Sequence, residues 1–218
     1  MSKIIVLMGA PGAGKGTQAR LLQERLHLPQ ISTGDILRAR AHQQDPLGEE
    51  IRGVQAAGKL ASDDLVGRVV QERTNQEDCR QGYILDGFPR TTAQAEMLEG
   101  LAAKQGNDIS AIFVDVPSEL LEKRTTGRRS CPVCGEIYNI YFKPPKVDNA
   151  CDQHPHAPLE QRVDDMPEKV RVRLETYSRE TAPLLDYYER TGRLHRVDGS
   201  RSPEEIYGDI EKIVNSKS

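Results

Sequence analysis

Tryptophan is absent from the 218 residues, and aromatic residues make up only 5% of them. A broad stacking platform for unpaired bases is therefore excluded. Long apolar runs are also missing: nothing approaches the ~20 residues that a membrane-spanning helix requires. The run at the start, Ile4 to Met8, is shorter than the ~7–15 residues of a secretory signal core. A cytoplasmic location without a membrane partner is the expectation. Excess charge of either sign is lacking too, with 30 Lys and Arg against 33 Asp and Glu and a net of -3. That balance argues against a surface that grips nucleic acid or lipid along its whole length, yet it permits a small pocket crowded with arginine. The four cysteines carry no sign of an oxidising compartment, so disulfides are not expected.

What is present is an alternation of strand and helix patterns. Ile4-Ile5-Val6-Leu7-Met8 is a continuous β-branched apolar run, as in a strand buried on both faces. Residues 15–26 follow with Ala19, Leu22 and Leu26 at helical spacing. Further strands are expected at Tyr83–Asp86, Ala111–Val116 and Leu194–Val197, with helices at 62–76, 91–104, 117–126, 167–190 and 203–214. Ser62, Thr91 and Ser202 stand at helix starts as caps, and Pro183 should kink or break the long helix around it. Alternation of this kind implies an α/β chain with a doubly wound parallel sheet. Residues 32–61 look helical and polar. Residues 127–165 hold three of the four cysteines, two histidines and Pro144-Pro145 without a clear helical period. Both read as excursions from one core.

Between the first strand and helix lies Gly9-Ala10-Pro11-Gly12-Ala13-Gly14-Lys15-Gly16-Thr17. Glycines let a backbone curl so that several N–H groups converge on one anion, and the following helix adds the positive end of its dipole. Lys15 supplies a mobile positive charge for terminal phosphates. The usual phosphate-loop pattern has Ser or Thr directly after the lysine; here Gly16 intervenes before Thr17.

Three more segments occur in order: Ser32-Thr33-Gly34-Asp35-Ile36-Leu37-Arg38, Asp86-Gly87-Phe88-Pro89-Arg90-Thr91 and Gly127-Arg128-Arg129. Arg162-Val163-Asp164-Asp165 and Val197-Asp198-Gly199 follow them. With the loop, they make the whole chain resemble the adenylate kinase family in its long-lid form. The resemblance implies a five-stranded parallel sheet of the nucleoside monophosphate kinase fold. It divides the chain into a core (1–31, 62–126 and 165–218), an AMP-binding insertion (32–61) and a lid (127–164). It implies the reaction ATP + AMP ⇌ 2 ADP with magnesium, in a monomer. By resemblance, Gly12 to Thr17, Arg124 and Arg128 hold ATP, and Ile137, Tyr138 and Arg201 meet its ribose or base. Thr33, Arg38, Gly87, Arg90, Gln94 and the backbone of Lys59, Leu60 and Ala61 would hold AMP. Arg162 and Arg173 would bridge donor and acceptor phosphates, and Asp86, with help from Asp35, would order metal-bound water. Lys15, Arg90, Arg128, Arg162, Arg173 and Asp86 then form the catalytic set, with hinges near Gly127 and Asp164-Asp165. Arginine forks suit phosphate oxygens, and phosphoryl transfer is mostly positioning and charge neutralisation.

Cys131-x2-Cys134 and Cys151-x2-His154 are two knuckles at zinc-ribbon spacing. Three thiolates and an imidazole make a closed site suited to a structural metal; zinc is expected, and iron or cobalt suits sulfur donors as well. Some long-lid members of the family carry such a cluster here. His154 competes with His156 and Asp152 for the fourth position. Cys79 reads as an ordinary residue. Two alternatives remain at this stage. One is a nucleoside monophosphate kinase with a GTP donor or a UMP or CMP acceptor. The other is a nucleotide-gated zinc ribbon on nucleic acid, which the acids Asp148, Asp152, Glu160, Asp164 and Asp165 oppose around the basic stretch Lys123 to Arg129.

Overall fold

A computed structural model describes residues 3–57 and 59–216. Its central sheet comprises β1 (Lys3–Met8), β2 (Gln30–Ser32), β3 (Gly82–Asp86), β4 (Asp108–Asp115) and, last in the chain, a strand at Leu194–Asp198. The order across the sheet is β2-β3-β1-β4 and then that last strand, with every pairing parallel. The expected α/β doubly wound class is thus what the chain adopts. Four of the five strands coincide with apolar runs. β2 is three residues long and too short to register as a pattern.

Burial on both faces explains the unbroken apolar runs. Ile4, Val6 and Met8 of β1 face one core cluster with Tyr83, Leu85, Ala111 and Phe113. Ile5 and Leu7 face the other with Ile84, Ile112 and Val114, the period of two that a strand dictates. Helices cover each face. On the first lie α4 (Asp63–Thr74), α5 (Thr92–Gln105) and α8 (Pro183–Arg190), through Val70, Leu98 and Tyr188. On the second lie α1 (Lys15–Leu26), α6 (Ser118–Thr126) and α9 (Pro203–Asn215), through Leu22, Leu121 and Ile210. Between β2 and α4 the chain forms α2 (Thr33–Ala41) and α3 (Pro46–Ala56), with a small core of Ala41, Ile51 and Leu65. After α6, β5 (Arg128–Ser130) pairs antiparallel with β6 (Ile137–Asn139). The last parallel strand of the sheet is β7 (Leu194–Asp198).

The long C-terminal helical stretch is interrupted as Pro183 predicts. After α7 (Pro167–Thr176) a π-helical turn spans Tyr177–Thr181, and α8 restarts with the proline in its first turn. No helix among the described residues is long and apolar enough to cross a membrane. The strands all end at one edge of the sheet, so Gly9, Thr33, Gly87 and Gly199 leave it side by side; this is where open α/β sheets present ligand sites.

The three caps form as read. Ser62 accepts from Leu65 N–H, Thr91 from Gln94 N–H, and Ser202 forms a reciprocal capping box with Glu205. Replacing the last, Ser202→Ala, should cost about 1 kcal/mol and lower Tm by roughly 2–4 °C for a chain of this size. Thermal unfolding followed by circular dichroism checks it, and an unchanged Tm contradicts the cap assignment.

Candidate functional site

The glycine loop is shaped by its neighbours. Gly12 has φ +87°, and a Cβ there would stand 2.5 Å from Thr125 Oγ1 and 2.7 Å from the Leu121 carbonyl, so only glycine lets the loop lie against α6. Gly14 caps α1 in the left-handed conformation without a side-chain partner for the first amides of the helix, the arrangement in which a helix start receives an anion. Lys15 Nζ donates to the Gly9 and Ala10 carbonyls at 2.7 and 3.0 Å. Burial lowers its pKa to about 8, and Arg90, Arg173 and Arg128 push the same way while Asp86 opposes them.

Positive side chains from separate elements therefore crowd together here. Burial lowers the Arg90 pKa, with Arg173 adding to it. Arg162 falls to about 10 through burial, followed by the charges of Arg128 and Arg38. Carboxylates hold the group together. Asp165, fully buried, accepts two bonds from Arg128 (2.8 and 2.6 Å) and one from Arg173 at 2.8 Å. Asp164 pairs with Arg173 through its carboxylate at 3.0 Å, its backbone carbonyl accepts from the same guanidinium at 2.9 Å, and Asp35 lies 2.5 Å from Arg38 and 3.8 Å from Arg162. Burial works against ionisation of Asp164 and Asp35, yet the surrounding arginines keep both below the usual carboxylate range. Asp86 ends β3, and its Oδ2 lies 3.3 Å from where a Cβ on Gly16 would stand. That is a hard oxygen donor beside the loop, of the kind magnesium takes.

A pocket of about 710 Å3, including its open mouth, adjoins this cluster. Its walls include Thr33, Arg38, Lys59, Leu60, Ala61, Gly87, Arg90, Gln94 and Arg173. Of the residues expected around AMP, only Arg162 is not part of the wall; it stands next to it on Asp35. Arg90 Nε donates to the Gly87 carbonyl at 2.8 Å, and Thr33 Oγ1 donates to the same oxygen at 2.9 Å. Thr181 Oγ1 donates to the Arg90 carbonyl, so the π-helical turn braces this strand end.

The remaining sequence-predicted residues sit elsewhere. Arg124 donates to the Gly199 carbonyl at 2.8 Å, tying α6 to the loop after β7. Arg201 pairs with Asp209 on α9. Ile137 and Tyr138 lie on β6, and Tyr138 is buried, its hydroxyl accepting from Asp152 N–H at 2.9 Å and lying 3.6 Å from Cys151 Sγ. Its ring belongs to the interior of the 128–160 unit.

Cys131 and Cys151 are buried in that interior, His154 is half-buried and Cys134 exposed, and the donor atoms of the four all lie within 4.8 Å of one another. Cys134 and Cys151 sulfurs are 3.7 Å apart, and Cys151 Sγ is 3.8 Å from His154 Nδ1. Two sulfurs at ~2.3 Å from a tetrahedral ion would be about 3.8 Å apart, so the donor set fits a metal ion. His156 and Asp152 are not part of the group, and Asp152 accepts from Lys146 N–H instead. Leu159 and Ala157 supply little further core.

Sequence reasoning passed over Asp63, which is bonded to both Thr91 and Gln94. It also read Asp164-Asp165 as a hinge without seeing that Asp165 would be the buried partner of two arginines. Periodicity carries no trace of its burial. Cys79 is buried in the core against the Arg73 guanidinium, and burial pushes its thiol up to about 11.

A family model described as adenylate kinase matches residues 7–193. A protein named adenylate kinase from Thermodesulfovibrio yellowstonii is 47% identical, with 98% of this chain and 99% of that one covered. One of the same name from Nitrosococcus oceani is 46% identical over 97% and 98% of the two chains. Another, from Thermotoga maritima, is 44% identical over 98% of each.

The lowered pKa of Lys15 has a direct readout. With nucleotide absent, its side-chain nitrogen should titrate near 8 by NMR, against the ordinary 10.5. Folding then strips a proton that the unfolded chain keeps between these values. The cost of the buried charge is full below pH 8 and disappears as pH rises to 10.5. Titration of Lys15 above 10 contradicts the electrostatic picture.

Proposed function

The chain belongs to the adenylate kinase family, a phosphotransferase acting on ATP, AMP and ADP, and from that premise we propose how its residues divide the work. The triphosphate of ATP lies on the Gly12–Thr17 loop, with Lys15 at its β- and γ-phosphates and Arg124 and Arg128 on its other side. Ile137 and Tyr138, through their backbone, and Arg201 border its ribose or base. AMP fills the pocket between α2, α3 and the end of β3, with Arg38 and Arg90 on its phosphate. Arg162 and Arg173 bridge the two nucleotides. The observation that carries this reading is the convergence on one cleft of Lys15, Arg90, Arg128, Arg162 and Arg173, from five separate segments.

The chemistry follows from that charge. An AMP phosphate oxygen attacks the γ-phosphorus, the bond to the β–γ bridging oxygen breaks, and two ADP molecules result. The nucleophile is anionic at neutral pH, so no side chain has to act as a strong base. Five cations offset the repulsion between approaching phosphates and take up charge in the transition state. Magnesium accompanies ATP in adenylate kinases; Asp86, with help from Asp35, would order the water bound to it, and the ion would neutralise phosphate charge there. Residues 32–61 and 127–164 close over the substrates, which expels water that would otherwise accept the phosphoryl group. We further propose that the enzyme acts as a monomer in the cytoplasm.

A coupled assay over acceptors AMP, GMP, UMP and CMP with donors ATP and GTP should be fastest for ATP with AMP; failure of AMP as acceptor overturns the reading. Arg90→Lys keeps the charge but loses the fork, and should lower kcat/KM for AMP by roughly a hundredfold or more while leaving Tm near its original value. A change of only a few-fold contradicts the role given to Arg90.

The Cys131, Cys134, Cys151 and His154 group is proposed to hold a structural zinc. The unit around it has few buried apolar side chains, chiefly Tyr138 and Leu159, and small units of this kind need such a staple. Protein purified without chelator should contain about one equivalent of zinc. Its removal should raise amide exchange first in residues 128–160. Well under one equivalent of any metal, or exchange that rises uniformly, contradicts the assignment.

A further inference from the structure

Gln94 lines the acceptor pocket and is 1% exposed, so the orientation of its carboxamide has consequences. A buried primary amide can usually be turned over with little change in shape, exchanging a donor for an acceptor. Here two neighbours forbid it. Gln94 Nε2 donates to Asp63 Oδ1 at 2.8 Å, and Gln94 Oε1 accepts from Arg90 N–H at 2.8 Å. Asp63 Oδ1 also accepts from Thr91 Oγ1 at 3.0 Å. Asp63 Oδ1 already accepts from two donors and the backbone N–H can only donate, so the reversed amide would set oxygen against oxygen and N–H against N–H. Asp63 opens α4 just after the Ser62 cap. Thr91 caps α5. The amide is therefore held between two rigid helix starts.

We propose that Asp63 is a positioning residue that sets base selection at the acceptor pocket, by locking Gln94 in the orientation that complements adenine. This rests on the reading of that pocket as the AMP site. After its two fixed bonds the amide keeps one N–H and one oxygen lone pair. Adenine offers a matching pair on its Watson–Crick edge, the N6 amino donor and the N1 acceptor. Hypoxanthine and guanine present the reverse, an O6 acceptor and an N1–H donor. To meet them the amide would have to turn over and leave a buried carboxylate facing an oxygen, the kind of mismatch by which polar sites reject near-isosteres. Asparagine at position 63 removes the constraint, because its own amide can offer either a donor or an acceptor.

The test compares kcat/KM for AMP and for inosine monophosphate, which differ at this edge, in the unaltered enzyme and in Asp63→Asn, Asp64→Asn and Gln94→Ala. Asp64 is the adjacent exposed carboxylate, paired with Arg68, and controls for charge at the helix start. Asp63→Asn should reduce the preference for AMP over inosine monophosphate by roughly tenfold or more, chiefly through acceptor KM, with KM for ATP and Tm little changed. Asp64→Asn should leave the preference as it is. An unchanged preference in Asp63→Asn, or an equal loss in Asp64→Asn, overturns the inference. Gln94→Ala separates the two levels: an unchanged KM for AMP there means that the pocket is not the acceptor site. A raised KM for AMP in Gln94→Ala, with an unaltered preference in Asp63→Asn, removes only the role of Asp63.

Discussion

Concentrated positive charge in one cleft is the constraint around which the rest of this molecule is organised. Lys15 lies close enough to Arg90, Arg173 and Arg128 to be depressed by them, Arg90 feels Arg173, and Arg162 feels Arg128. Such a group repels itself unless something opposes it. Asp164 and Asp165 do so from the turn before α7, and Asp35 from α2. Asp165 is fully buried on Arg128 and Arg173, and stranding a buried ion of this kind costs about 3–5 kcal/mol. The carboxylates keep the arginines in place, and in the proposed reading the phosphates of two nucleotides would supply the remaining negative charge.

The scaffold is suited to that burden. A parallel sheet buried on both faces ends all its strands at one edge, so residues distant in sequence leave it together. The cation-bearing segments outside the sheet are then positioned by small, separately cored units. One rests on Ile51 and Leu65, and the other on Tyr138, Leu159 and the cysteine cluster. So little apolar interior is consistent with the proposal that these segments close over substrate, since segments that move are drawn from the less stable parts of a fold.

Legibility in the sequence followed burial. β1, β3 and β4 were plain because strands buried on both faces read as unbroken apolar runs. β2 was not located, since Gln30–Ser32 is three residues long and gains its strand character from pairing with Ile84–Asp86. The pocket residues Thr33, Arg38, Arg90 and Gln94 were legible through the order of their motifs, and the four metal-type donors through knuckle spacing. Asp63 and the burial of Asp165 were not. Their significance comes from pairings across 31 and 37 residues, with Gln94 and Arg128, which no local period encodes. Tyr138 marks the same boundary: its position was recognisable, but that its ring faces inward to Cys151 appears only once β6 is folded.

The most direct test is a crystal structure with a bisubstrate nucleotide, two adenosines joined by five phosphates. The account predicts that Lys15, Arg90, Arg128, Arg162 and Arg173 all lie within hydrogen-bond distance of phosphate oxygens of that one ligand. It also predicts that one adenine stands in the pocket beside Gln94. A complex in which two or more of these cations touch no phosphate, and remain only on Asp35, Asp164 or Asp165, would contradict it.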